Sequence, residues 1–150
     1  MKELCIFLHL GNVLLWDEID NYIKRIKKTE FDLYINFCKD TMSIDDIVLY
    51  KNIIKEDYKD VSFYTFENKG SDIGPFFKFL DNIRTKNKKY DWIIKIHSKS
   101  HNEWRRKMLE DIFPENFDIY YEELKKNNKI MAGSYKYPYD YFNIKYDKIY

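Results

Sequence analysis

The sequence has little glycine and proline, with four glycines and three prolines among its 150 residues. It therefore contains no low-complexity linker, and we predict a single domain that covers residues 1–150. Cysteine is equally scarce. Cys5 and Cys38 lie in apolar runs and have neither CxxC nor metal-ligand spacing. We therefore expect two buried free thiols, as in proteins of a reducing compartment.

An excess of charge of one sign is also missing, since 26 basic residues balance 25 acidic ones and the formal net charge is +1. Nucleic-acid-binding domains usually carry a clear positive excess, so we expect no nucleic-acid partner. No apolar run is long enough to span a bilayer. Glu3, His9 and Asn12 interrupt the N-terminal run where a signal peptide needs unbroken apolar residues. These features predict a cytoplasmic protein without a transmembrane segment.

Apolar residues, in contrast, make up 45% of the chain and aromatic residues 19%, which excludes a disordered protein. Short apolar runs alternate with segments of helical period. The predicted strands are residues 4–10, 32–38, 61–66 and 91–97, with a candidate fifth strand at 130–134, and the predicted helices are residues 15–26, 47–57, 75–84, 100–112 and 118–127. Connections of helix length predict an α/β fold with a mostly parallel sheet and helices on both faces.

Polar residues cluster where the predicted strands end, and ligands of open parallel sheets bind at that edge. The first strand ends near His9, the third is followed by residues 67–72, and the fourth is followed by residues 97–101. All three histidines of the chain lie in these segments. His9 fits a contact to a ligand and a hydrogen-bonded core histidine equally well.

The segment after the third strand, NKGSDIGP, holds two of the four glycines. Gly70 permits a positive φ angle or the close approach of a ligand, and Ser71 or Asp72 can cap the following helix. A helix N-terminus at this edge favours phosphate binding, although a tight turn before a capped helix gives the same pattern. The segment matches neither GxGxxG nor the phosphate loop GxxxxGK[ST], so neither a dinucleotide fold nor a P-loop enzyme is indicated.

The segment after the fourth strand is rich in basic residues. If the strand continues to Lys99, the side chains of Lys95, His97 and Lys99 share one face and can hold a diphosphate. If the strand ends earlier, these residues belong to a solvated loop. His97 and His101 do not supply the close ligand set that zinc needs.

The stretch EWRRKML follows directly. Ser100 and Glu103 have the spacing of a capping box, which predicts that a helix begins there. Trp104 and Arg105 can stack and clamp a ligand. The same pattern is also typical of a tryptophan packed on the sheet beside solvated arginines.

These residues together resemble the rhamnan synthesis protein F family of polysaccharide-assembly proteins, which are regarded as glycosyltransferases. Three segments match in order and spacing. They are the strand that ends in His9 and Leu10, the block from Asn68 to Phe76, and the strand from Tyr90 to Ser100 with Trp104 and Arg105 after it. The resemblance spans most of residues 5–110.

The resemblance implies a GT-A-like (Rossmann-like) domain that binds a nucleotide-sugar donor and transfers a sugar, such as rhamnose, to a glycan acceptor. By the same resemblance, Asn68, Gly70 and Asp72 line the donor site, and His97 and Lys99 stand where related folds bind a metal with aspartates. Asp72 and His97 are the predicted catalytic residues, and His9, Asn68, Gly70, Lys99, Trp104 and Arg105 are the predicted substrate contacts. A basic pair in that place can neutralise a diphosphate without a metal. No cofactor follows with certainty, and Mn²⁺ or Mg²⁺ is an open alternative.

The family's chains usually continue beyond the length of this one into an acceptor-binding portion. We therefore also consider a chain that holds only the donor-binding portion. The alternative function is a non-catalytic module that binds a nucleotide sugar or glycan, or a subunit of a larger transferase or homo-oligomer. The tyrosines at positions 135–150 favour this alternative, because they can stack on sugar rings or form an interface.

Overall fold

A four-stranded sheet forms the centre of the protein. The computed structural model describes residues 2–127. The strands are β1 (Leu4–Leu10), β2 (Phe31–Phe37), β3 (Ser62–Tyr64) and β4 (Trp92–His97). Their order in the sheet is β3-β2-β1-β4, and every neighbouring pair is parallel. The predicted α/β fold with a parallel sheet is confirmed.

Five α-helices connect and cover the strands. They are α1 (Trp16–Ile23), which follows a 3-10 turn at Val13–Leu15, α2 (Ile44–Asp57), α3 (Ile73–Thr85), α4 (Asn102–Ile112) and α5 (Phe117–Lys126). Within residues 2–127, each of these helices is too short or too polar to cross a membrane. The candidate fifth strand at 130–134 and the C-terminal tyrosines lie outside the described residues.

The sheet is covered on both faces, but unequally. All seven residues of β1 are buried, as the unbroken apolar run predicts for a central strand. Leu4, Ile6, Leu8 and Leu10 point to a large core that α1, α2, α4 and α5 share. Cys5 and Phe7 point to a smaller core, which α3 covers among the helices of residues 2–127. The predicted helices on both faces are therefore confirmed.

The two cysteines are buried free thiols, as predicted. Burial, together with the charge of Asp32, raises the pKa of the Cys5 thiol to about 12. The thiolate is the reactive form of cysteine, so Cys5 is inert at neutral pH.

The strand order creates a crevice at one edge of the sheet. The chain adds β2 and β3 on one side of β1, and then returns through α3 to place β4 on the other side. His9 of β1 and His97 of β4 are partners in the register. The carboxyl ends of β1 and β4 thus flank the position where the winding direction reverses, which is where open α/β sheets bind ligands.

Candidate functional site

A row of polar side chains lies at the carboxyl edge of the sheet, on the face that α3 covers. Alternation along the strands places His9, Asn36, Lys95 and His97 on the same face as Phe7. His9 and Asn36 are register partners in β1 and β2. The site is therefore an extension of the smaller core into the crevice.

Asp72, the residue before α3, contacts this row of side chains. Its Oδ2 atom accepts a hydrogen bond from the Nζ atom of Lys95. The Nδ1 atom of His97 lies 3.4 Å from the same carboxylate oxygen. The structure thus brings together the two predicted catalytic residues, with Lys95 as the third member of the group.

Two glycines, one in the preceding loop and one in the first turn of α3, explain how Asp72 reaches β4. Gly70 has a φ angle of +76°, in the left-handed region. A Cβ atom on Gly74 would lie 1.6 Å from the carbonyl oxygen of Lys69, so only glycine permits this approach of the loop to the first turn of α3. The predicted cap is wrong, because the Asp72 side chain makes no capping hydrogen bond and is bonded to Lys95 instead.

Burial and charge set the protonation of the group. Burial opposes ionisation of Asp72, but the hydrogen bond from Lys95 and the neighbouring His97 and Lys95 outweigh it and hold the carboxyl pKa below its ordinary value. Burial lowers the pKa of His97 to about 4. Burial also lowers the pKa of His9. At neutral pH the site therefore contains a carboxylate between an ammonium group and a neutral imidazole.

His97 is arranged to accept a proton. Its Nδ1 atom faces Asp72, and its Nε2 atom is buried without a hydrogen-bond partner among the described residues. A buried polar atom without a partner is costly and rare, and a catalytic role is one of the reasons for which native proteins keep such an atom. If Nδ1 carries the proton that faces Asp72, Nε2 is a free acceptor.

His9 is bound to a residue that the sequence analysis missed. The Nδ1 atom of His9 lies 2.9 Å from the Nδ2 atom of Asn36, and Oδ1 of Asn36 accepts from the backbone N–H of Phe66 at 2.7 Å. One signal could have found Asn36, which is a single amide in the apolar strand DLYINFC. A polar group in such a run needs a dedicated partner.

Lys99 and Trp104 form a second group next to the first. β4 ends at His97, so the strand does not continue to Lys99, and Lys99 does not share the alternation of Lys95 and His97. The Nζ atom of Lys99 lies 3.7 Å from the centre of the Trp104 ring, a cation–π contact. The charge of Lys99 contributes to the low pKa of His97, after burial and the larger effect of Lys95.

Arg105 is buried beneath this second group. Its guanidinium donates to a carboxylate oxygen of Glu18 at 2.7 Å, to the carbonyl oxygen of Lys99 at 2.6 Å and to Asn102 at 3.0 Å. These contacts fix the loop between β4 and α4. The role of Arg105 as a direct substrate contact stays a prediction.

The first turn of α4 differs from the predicted one. The helix begins at Asn102, and the ring of His101 accepts a hydrogen bond from the backbone N–H of Trp104. The predicted capping box of Ser100 and Glu103 is therefore wrong. A histidine at this position was not recognised as a cap because serine, threonine and aspartate are the usual ones.

Asn68 and Gly70 lie in the exposed loop before Asp72. The backbone N–H of Asn68 donates to Asp40 at 3.2 Å, which ties this loop to the segment after β2. The loop forms one wall above the edge of the sheet. Contact of either residue with a donor stays a prediction.

The described donor atoms do not fit a divalent cation. Within residues 2–127 there is no group of three or more histidine, cysteine, aspartate or glutamate side chains that could hold a metal. The carboxylate of the candidate site is Asp72, whose Oδ2 atom is already bonded to the ammonium of Lys95. Mg²⁺ and Mn²⁺ prefer several oxygen ligands, which this pair does not supply.

Comparison with known proteins gives one match. A family model described as rhamnan synthesis protein F matches residues 1–133. Neither a curated protein nor a solved structure matches the chain. The family resemblance read from the sequence is thus confirmed, whereas the GT-A-like assignment stays a prediction.

Proposed function

Because the chain belongs to the rhamnan synthesis protein F family, we propose that it is a glycosyltransferase that moves a sugar from a nucleotide-sugar donor to a glycan acceptor. Membership of the family connects the chain to polysaccharide synthesis. One observation carries the proposal of catalysis, namely the carboxylate of Asp72 between Lys95 and His97 at the carboxyl edge of the sheet.

The basic side chains suit a diphosphate leaving group. Transfer breaks the bond between the anomeric carbon and the diphosphate oxygen, and negative charge develops on that oxygen. Lys95 in β4 and Lys99 in the loop after it supply two cations at this end of the strand. Fixed positive charge at a developing anion is a large source of catalysis in a partly buried site.

His97 is the general base in this proposal. The acceptor hydroxyl forms its new bond to the anomeric carbon while its proton passes to Nε2 of His97. Asp72 positions the ring through Nδ1 and stabilises the imidazolium that results. The pKa of about 4 makes His97 a weak base on its own. A bound diphosphate adds negative charge next to the ring and so raises this pKa.

Donor binding is the first test. Calorimetric titration with UDP-, GDP- and dTDP-sugars, with and without Mn²⁺, identifies the nucleotide. The family name makes a rhamnose donor the first to use. We expect binding without Mn²⁺, and a loss of binding in Lys99→Ala. Lys69→Ala is the matched control, because Lys69 is exposed and pairs with Glu67 in the loop before α3.

Turnover is the second test. We expect Asp72→Asn to bind the donor but to lower transfer or donor hydrolysis by about 100-fold or more, as is typical when a positioned acid–base group is removed. Full activity of Asp72→Asn would contradict the role of the carboxylate. An absolute requirement for Mn²⁺ would contradict catalysis by the basic groups. Donor binding without any turnover would support a non-catalytic binding module instead.

A further inference from the structure

Asn36 has no exposed surface, although it lies at the edge of the sheet where the ligand is proposed to bind. Both polar atoms of its side chain are engaged. Oδ1 lies 2.7 Å from the backbone nitrogen of Phe66, and Nδ2 lies 2.9 Å from Nδ1 of His9. The amide thus connects the segment after β3 to the C-terminal end of β1.

The orientation of the amide follows from its partners. A backbone N–H can only donate, so the Asn36 atom that faces Phe66 must be the oxygen. The NH₂ group then faces His9, and because NH₂ can only donate, Nδ1 of His9 must accept. A neutral imidazole that accepts at Nδ1 carries its proton at Nε2.

We propose that Asn36 is a positioning residue that holds His9 as the Nε2–H tautomer, so that His9 meets the ligand as a neutral hydrogen-bond donor of fixed direction. The function of this donor rests on the proposed sugar transfer, in which it contacts an oxygen of the diphosphate or of the sugar. Nε2 points away from Asn36 and therefore away from β2. The neighbouring strand on the other side of β1 is β4 with His97.

The groups around His9 are compatible with a neutral ring. Burial lowers its pKa, Asp72 at the start of α3 raises it, and Lys95 of β4 lowers it further. His97 is the other titratable neighbour on β4, and the charge of His9 lowers the pKa of His97. His9 and His97 then have opposite roles, since His9 donates from Nε2 and His97 accepts at Nε2.

Imidazole ¹⁵N NMR of the protein labelled at histidine tests the proposal without any ligand. His9 is identified by comparison with His97→Gln and His101→Asn, each of which removes one set of signals. We expect the wild-type ring of His9 to be neutral at pH 7, with the proton on Nε2 and bare Nδ1. A proton on Nδ1, an even mixture of tautomers, or a charged ring at pH 7 would overturn the proposal.

Asn36→Asp is the matched variant. A carboxylate can still accept from Phe66 but can no longer donate to His9, so the proton should move to Nδ1 of His9 and the ring should titrate at higher pH. Asn82→Asp makes the same chemical change on α3, where Asn82 accepts from Tyr64, and should leave the His9 signals unchanged. An unchanged tautomer in folded Asn36→Asp would also overturn the proposal.

The link to function is measured separately. If a donor binds the wild type, Asn36→Asp should weaken that binding by about ten-fold or more, as expected when a hydrogen bond to a charged group is lost. Unchanged donor affinity in this variant would contradict the proposed contact between His9 and the ligand. If no donor binds the wild type, the proposed function fails while the tautomer result still stands on the ligand-free protein.

Discussion

His97 has the least ordinary environment of any titratable residue in the site. Its ring is flanked by Asp72, Lys95, Lys99 and His9 and is largely removed from water. Burial is the dominant effect and favours the neutral ring, and the carboxylate of Asp72 only partly offsets it. The folded protein therefore resists protonation at a pH where a solvated histidine takes up a proton.

The stability of the protein should depend on this residue. The unfolded chain binds a proton at His97 as the pH falls through 6.5, but the folded protein binds it only near 4. The contribution is therefore fully present above pH 6.5 and is lost as the pH falls towards 4. Since one unit of pKa corresponds to about 1.4 kcal/mol, we expect the free energy of unfolding to fall by about 2–3 kcal/mol over this range.

Urea unfolding at a series of pH values measures the effect. His97→Gln should make the decline between pH 6.5 and 4 smaller, because it removes one of the groups whose protonation differs between the folded and unfolded protein. His9, whose pKa is also lowered by burial, keeps its own share of the decline. His101→Asn keeps a capping side chain on α4 and leaves His97 in place, so it should retain the part of the decline that His97 causes. An equal slope in the wild type and in His97→Gln would assign the decline to other groups.

At the scale of single residues, the sequence predicted which polar residues lie at the candidate site but not which residues they bind. Asp72 and His97 were predicted from the polar strand ends and from the family resemblance, and the structure brings the two side chains together. Asn36 and Arg105 were not understood, because their roles depend on Phe66, His9 and Glu18, which lie far away in sequence. Partners of this kind become neighbours only through the sheet order.

At the scale of elements, the connection from β3 to α3 decides where the carboxylate lies. Gly70 turns the loop with a positive φ angle, and Gly74 lets the Lys69 carbonyl pass over the first turn of the helix. This geometry directs Asp72 inwards to β4 rather than along the helix axis. The loop is therefore part of the site even where its side chains face solvent.

Two effects of Gly74→Ala on the free energy of unfolding oppose each other. Alanine in a helix is favoured over glycine by up to about 1 kcal/mol from propensity alone. The Cβ atom, however, would lie 1.6 Å from a backbone oxygen, which cannot move without displacing the loop. We expect the clash to prevail and to lower the free energy of unfolding by about 1–3 kcal/mol, and sugar transfer to fall as Asp72 shifts away from Lys95 and His97.

Gly11→Ala is the matched control in the loop after β1. Its Cβ atom would lie 3.4 Å from the hydroxyl oxygen of Ser98, a side-chain atom that can adjust. Thermal melting of both variants gives the comparison. If Gly74→Ala proved as stable as Gly11→Ala, the close approach of the loop would not be a constraint.

The sequence predicted the elements well, and the reasons are physical. β1 is buried on both faces, so its run is apolar without interruption, and the helices show one apolar face each. The bounds of β3 were less certain, since it is only Ser62–Tyr64 where residues 61–66 were predicted, whereas β4 ends at His97 as predicted. The alternation of basic residues left open whether β4 continues to Lys99, and the structure shows that it does not.

At the scale of the whole molecule, α5 is tied to the opposite half of the chain by one carboxylate. Asp118 accepts hydrogen bonds from the backbone N–H groups of Lys27, Lys28 and Thr29, at 2.9 to 3.2 Å, and from the hydroxyl of Thr29 at 2.7 Å. Burial opposes ionisation of Asp118, but these donors hold its pKa below the ordinary value. The contact closes the large core at the end of the sheet away from the site.

Asp118→Ala should therefore lower the free energy of unfolding by about 1–3 kcal/mol, because hydrogen bonds to a charged acceptor are lost at several donors at once. Donor binding should be unchanged, since the hydrogen bonds of Asp118 are distant from the crevice. Asp81→Ala is the control, because Asp81 pairs with Arg84 on an exposed face of α3 and such pairs contribute little. Equal stability of the two variants would mean that α5 is held by apolar packing alone.

The strand order has a consequence for synthesis of the protein on the ribosome. β1 emerges first, but its partner at the crevice is β4, and the hydrogen bond from Gly11 to Ser98 joins positions 87 residues apart. β1, β2 and β3 can pair while the chain is still growing, with one edge of β1 left open. The side chains of the proposed site on β1 and β4 thus come together only when β4 fills that edge, so the site is completed late and in a single step.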